Sequence, residues 1–219
     1  PMIPHNLTMS FTGAAMLWVG WFGFNAGSAL AADGSAGMAL LVTHLSAATG
    51  ALTWMIIEWL KYGKPSGLGA ITGMVAGLAT ITPASGSVGP AGALLVGLTG
   101  GIVCYGCTNF LKLTLRIDDS LDVFPVHGIG GIVGTLLAAI LVSSDLGVFS
   151  GNGYADGMSM MSQLGVQTIG ILVTALYTAI VTFWLIKLVS LMTNGIRVSQ
   201  DQEQVGLDIT DHEEKGYSM

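Results

Sequence analysis

Val123-Phe124-Pro125-Val126-His127-Gly128-Ile129-Gly130-Gly131-Ile132-Val133-Gly134-Thr135-Leu136-Leu137-Ala138-Ala139-Ile140-Leu141-Val142 holds a single ionisable side chain, His127. A run of about 20 apolar residues is what a helix needs to cross the hydrocarbon of a bilayer. An imidazole at that depth is costly unless it faces a partner or a water-containing cavity, which makes His127 a pathway candidate. Glycines at 128, 130, 131 and 134 would let neighbouring helices come close around it.

The rest of the chain has the same character. Hydrophobic residues make up 52% and charged residues 9%, with a mean hydropathy of +0.70, whereas roughly a quarter of a soluble domain is charged. Apolar runs fall at 7–30, 36–60, 67–82, 91–115, 123–142 and 160–192. They predict an all-α integral membrane protein with six transmembrane helices. The third run is short and rich in glycine, so it is expected to continue in irregular backbone. The sixth is long enough to be tilted or to protrude.

Lys61 and Lys64 follow the second run, Lys112 and Arg116 the fourth, and Lys187, Arg197 and Lys215 end or follow the sixth. The connectors around Asp33, Ser85 and 145–156 contain neither Lys nor Arg. By the positive-inside rule these connectors are external and the carboxy-terminal tail is cytoplasmic. Six spans then put Pro1 on the cytoplasmic side as well, and a start without Met or a basic residue is expected to follow spans not present in this sequence. Residues 1–194 form the expected membrane domain and 195–219 the tail. Much of the net charge of -6 lies in that tail. Such a balance speaks against a nucleic-acid partner. The tail is also too polar and short to bury a core alone, so it is expected to be disordered or to lie against something.

Other side chains read more plainly. Most of the 32 glycines serve close helix packing. His44, inside the second span, is expected to be satisfied or to face an interface. Cys104 and Cys107 form a C-x-x-C without a second pair or a nearby histidine, which is a poor basis for zinc. Asp118, Asp119 and Asp122 suit the amino-terminal cap of the fifth helix. Pro125 falls in that helix's first turn, where proline is tolerated. No nucleophile or metal constellation surrounds His127, which speaks against an intramembrane enzyme.

Several motifs occur in order along the chain: Trp21-Phe22-Gly23-Phe24-Asn25-Ala26-Gly27-Ser28, Glu58-Trp59, Gly63-Lys64-Pro65-Ser66, Thr82-Pro83-Ala84-Ser85-Gly86, Asp118-Asp119-Ser120-Leu121-Asp122-Val123-Phe124, Val126-His127-Gly128 and Gly206-Leu207-Asp208. Through them the chain resembles the Amt/Mep/Rh ammonium transporters, in particular the bacterial Amt branch. That family has eleven spans, two inverted five-helix repeats and a long final helix, and this chain looks like spans six to eleven. Inverted repeats place a substrate path at their interface. Pro125 departs from the glycine that many relatives carry.

The resemblance implies three pathway residues. His127 looks like the second of the family's paired pore histidines, able both to donate and to accept a hydrogen bond and to relay a proton. Phe24 looks like one of two stacked phenylalanines that narrow the pore by excluding water. Ser28, one turn outward, looks like the hydroxyl that accepts from ammonium at an external site. Trp21, close in sequence, could line the vestibule or anchor the interface, and is read as packing. The resemblance further implies ammonium or ammonia as substrate, a homotrimer with one pore per subunit, no bound cofactor, no metal and no catalytic residue. It places the protein in the lipid of a bacterial cytoplasmic (inner) membrane, with a PII-type signal-transduction protein as partner at the tail. The rival reading is an ammonium sensor that signals through that tail.

Overall fold

The computed structural model describes residues 4–193 and 195–216. Among them there is no strand, and six helices are long and apolar enough to cross a membrane. Helical structure is what hydrocarbon demands, since backbone N–H and C=O groups must there be satisfied within the segment. The chain divides into two compact units, Pro1–Ile171 and Leu172–Met219.

In the first unit α1 (Leu7–Gly27), α2 (Gly34–Tyr62), α3 (Gly67–Ile81), α4 (Pro90–Asn109) and α5 (Gly130–Leu141) follow one another along the chain. The first run stops earlier than its hydrophobicity suggests: α1 ends at Gly27, and Leu30 has a left-handed φ of 59°. Asp33 caps α2, its carboxylate accepting from Ser35 Oγ at 2.6 Å and from the Ser35 and Ala36 amides at 3.0 and 3.2 Å. The Ser35 hydroxyl and these amides hold the carboxyl below its ordinary value.

Two sequence motifs find their structural reason at the other end of α2. Gly63 ends the helix in the left-handed region, φ 77°, where glycine carries no Cβ penalty. Glu58 then reaches forward, accepting from the Ser66 amide at 2.7 Å, from Ser66 Oγ at 3.1 Å and from Trp54 Nε1 at 3.3 Å. Ser66 in turn caps α3 by accepting from the Gly69 amide at 2.9 Å. The stretch from Glu58 to Gly69 is therefore one helix–helix clasp.

α2 packs against α1, α3 and α4, and α3 packs against α5. The helices meet at glycine. Ser46 of α2 donates to the Gly77 carbonyl at 2.8 Å, and a Cβ at Gly77 or Gly97 would collide with the Ser46 carbonyl. Gly134 of α5 lies directly on the Thr80 carbonyl of α3. Around these contacts Val42, Leu78, Ile81 and Val96 are fully buried.

Two features depart from regular α-helix. As the glycine-rich third run suggests, α3 loosens into a 3-10 turn at Thr82–Ala84. The fifth span, read as opening in an ordinary α-helical first turn, instead opens in a π-helical turn, Phe124–Ile129, and a second π turn, Phe110–Thr114, ends the fourth. Pro125 has no amide to donate and sits at the start of the wide turn. Asp119 satisfies the exposed amides, accepting from Val123 at 2.9 Å and Phe124 at 2.8 Å.

α6 (Met160–Met192) begins in the first unit and has no buried residue. In the second unit, the tail expected to stay without a core has no buried residue among those described either, yet it folds into α7 (Gln200–Val205) and α8 (Leu207–Thr210). A capping box between Ser199 and Gln202 starts α7. Arg197 grips Glu203 through Nη2, at 2.7 and 3.0 Å, and through Nε at 3.2 Å. That guanidinium holds the Glu203 carboxyl below its ordinary value.

Two outcomes are expected. Alanine at Gly134 must push α5 off the Thr80 carbonyl and should cost about 1–3 kcal/mol; the unfolding midpoint in detergent should fall, while Gly106→Ala, with open space around it, should leave it unchanged. A carboxyl with a lowered pKa stabilises fully above its unfolded value, about 4.3 for glutamate, and loses that contribution as pH falls through the lowered value. Hydrogen-exchange protection of residues 200–205 should therefore hold between pH 7 and 5 and drop below pH 4, whereas Glu203→Gln should flatten this dependence.

Candidate functional site

The π turn carrying His127 packs against α3, α4 and α5. Its inward residues, Pro125 and Val126, are buried, and the Cys104 thiol lies 4.0 Å from the Val126 carbonyl oxygen. His127 itself points outward and is exposed on the surface of the chain. Among the described residues its ring nitrogens have no hydrogen-bond partner, and its one recorded ring contact is with Trp21: centroids 6.2 Å apart, planes inclined by 15°.

Trp21 is held at both ends. Its indole packs against the buried cluster that includes Trp54, Ala79 and Val126, and its Nε1–H donates to Thr82 Oγ1 at 2.8 Å. The Thr82 hydroxyl proton is committed to the Leu78 carbonyl, also 2.8 Å away, so the threonine oxygen offers the indole a lone pair. One turn along α1, the buried Asn25 donates to Thr43 Oγ1 at 3.0 Å and ties α1 to α2.

Phe24 meets Trp21 edge-on, centroids 6.3 Å apart at 86°, and is 61% exposed. Phe24 and His127 are thus linked through Trp21, in one chain of rings running from α1 to the π turn. Ser28 lies a turn beyond Phe24, exposed, with its hydroxyl donating to the Phe24 carbonyl at 2.8 Å. With the proton directed inward, the outward side of that oxygen can only accept. The three residues singled out from the sequence all lie on exposed parts of the first unit. Trp21, read there as packing, packs and also makes the contact with His127. Its place three residues before Phe24 on a helix was the available signal, but nothing in one helix reveals which other element it meets.

The remaining candidates stand apart from this chain of rings. His44 is exposed and lies against two other rings of α1, Trp18 at 5.2 Å and 29° and Phe22 at 6.0 Å and 48°. Cys104 and Cys107 are free thiols, the first buried. Asp122, with a left-handed φ of 56°, pairs with Lys112 at 2.6 Å, and Asp119 is the cap already described. The aspartates therefore order the approach to the π turn.

Comparison with known proteins agrees with this architecture. Residues 1–217 match the model of the Ammonium Transporter Family. Ammonium transporter Amt1 of Archaeoglobus fulgidus is 44% identical over 215 residues, which are 98% of this chain and 53% of that protein. The ammonium transporter of Bacillus subtilis is 41% identical over 216 residues, 98% of this chain and 52% of that protein. The chain spans about half the length of the curated relatives it matches. Among solved structures, a Sensor Amt Protein superposes with a TM-score of 0.85 at 31% identity, covering 94% of this chain and 49% of that one. Candida albicans Mep2 superposes with a TM-score of 0.80 at 32% identity, covering 91% and 45%. The curated relatives are named ammonium transporters, a transport family rather than enzymes, and this multi-pass membrane chain belongs to the Ammonium Transporter Family.

Proposed function

We propose that the chain forms one wall of a pore that conducts ammonium nitrogen across a membrane, with Ser28, Phe24 and His127 along the path. The observation that carries this reading is the exposed imidazole of His127, within an apolar span and without a hydrogen-bond partner among the described residues. In lipid such a group is tolerable only where it meets water, solute or another polar surface. That relatives are named ammonium transporters supports ammonium as the solute.

Each residue has a role suited to its chemistry. Ser28, acceptor-only toward the outside, receives an N–H of ammonium. Phe24 presents an apolar edge that a hydrated ion passes poorly and a small neutral molecule passes readily. Beyond it His127 donates to and accepts from ammonia, replacing the hydrogen bonds that water supplies elsewhere. In this reading residues 1–194 are the membrane domain and 195–219 the cytoplasmic tail. The placement of every Lys and Arg on one side of the predicted spans supports that orientation. A homotrimer in a bacterial cytoplasmic membrane, with a PII-type protein docking at the tail, completes the proposal.

A second reading, an ammonium sensor, draws on the likeness to the Sensor Amt Protein. One experiment separates the two. With the protein as its gene encodes it in proteoliposomes, ammonium should elicit uptake, seen as current or internal pH change, above that of empty liposomes. His127→Ala should reduce it at least about tenfold, or convert it from one electrical mode to another. Binding of ammonium without conduction in the wild type would instead establish the sensor.

A further inference from the structure

We propose that Trp21 is the positioning residue of His127: anchored through Thr82, its indole holds the imidazole parallel to itself and so sets the plane in which the ring nitrogens face the path. The inference rests on the reading of His127 as a pore residue.

The geometry has three parts. First, His127 sits in a π turn, where the backbone is wider than in an α-helix and the usual register of side chains is lost. The backbone there does not hold the ring through local hydrogen bonds, and Pro125 supplies no amide. Second, no charged side chain occurs on α1, α3, α4 or α5, so no ion pair from these helices competes for the imidazole; the titratable groups they carry are Cys104, Tyr105 and Cys107 of α4. Third, among the described residues the stack with Trp21, 15° from parallel, is the ring contact that restrains rotation of the imidazole. Both imidazole nitrogens lie in the ring plane, so fixing that plane aims the donor and the acceptor together.

Anchoring is what distinguishes this indole from any other apolar neighbour. The donation to Thr82 at 2.8 Å depends on a threonine oxygen whose own proton points to Leu78. The irregular end of α3 is therefore connected, through one hydroxyl and one indole, to the orientation of a histidine on another element. Phe24, edge-on to the same indole, is restrained by it as well.

The test uses three substitutions in the protein as encoded. Thr82→Val keeps the volume and removes the acceptor, Trp21→Phe keeps a ring face and loses the anchor, and Trp21→Leu loses both. Solid-state NMR of histidine-labelled protein in lipid, with His127 signals assigned by their absence in His127→Gln, reads the ring directly. The wild type should give one narrow set of His127 side-chain signals. Thr82→Val and Trp21→Leu should give several sets or broadened ones, with Trp21→Phe in between. In proteoliposomes the maximal rate should fall on the order of tenfold in Trp21→Leu with KM little changed, since Ser28 is untouched, and Trp21→Phe should recover part of it. Should Trp21→Leu fail to fold, Thr82→Val decides. Unaltered His127 signals in Thr82→Val or Trp21→Leu would overturn the proposal, as would a loss of rate that comes with unaltered signals. A wild type that conducts nothing would sink the pore reading alone, since the NMR result would still decide whether Trp21 positions His127.

Discussion

Ser46 and the two glycines that face it, Gly77 and Gly97, set the separation of α2, α3 and α4, and the remaining arrangement follows from that separation. In lipid there is no hydrophobic driving force to bring apolar helices together; they associate through close packing and the occasional interhelical hydrogen bond. Here both occur at one place, a hydroxyl donating to a carbonyl across a gap with no room for a Cβ. The same device recurs where Gly134 lies on the Thr80 carbonyl, which brings α5 to α3 and with it the turn that carries His127.

This dense interior contrasts with the surface that bears the candidate site. Asn25, Thr43, Ser46 and Thr80 are buried and hydrogen-bonded within the bundle, whereas the buried Thr108 hydroxyl has no partner among the described residues. At the candidate site, the His127 ring nitrogens have no partner among the described residues, and Ser28 turns an unshared pair outward. Two of the departures from α geometry meet at this site. The 3-10 turn supplies Thr82 and the π turn supplies His127, and Trp21 joins them.

Much of this was legible in the residues. The spans could be read because each is an apolar run of membrane length with polar connectors, and their ends moved by only a few residues. His127 could be read because an ionisable group stands out in such a run. Glu58 and Ser66 were visible as a motif, while their clasp needed the fold to be seen. The π turn was hidden because Pro125 and Asp119 fit the opening of an α-helix equally well; the choice between them is made by packing against α3 and α4. The Trp21 stack was hidden for a related reason, since periodicity places a residue on a face of its own helix and says nothing of which distant element that face meets. The short tail helices escaped a reading by hydrophobicity because caps and an ion pair hold them, and these leave little trace in composition.

The Ser28 hydroxyl, with its proton directed to the Phe24 carbonyl, has one further consequence. An oxygen in that state tells solutes apart by the hydrogens they carry. Methylammonium, with three N–H bonds, presents what it needs, whereas tetramethylammonium has the same charge and none. Chloride and nitrate bring only lone pairs and are repelled by those of the serine. On the pathway proposed for Ser28, the first selection would thus be a count of donors rather than of charge, made by a side chain that need not be ionised to make it.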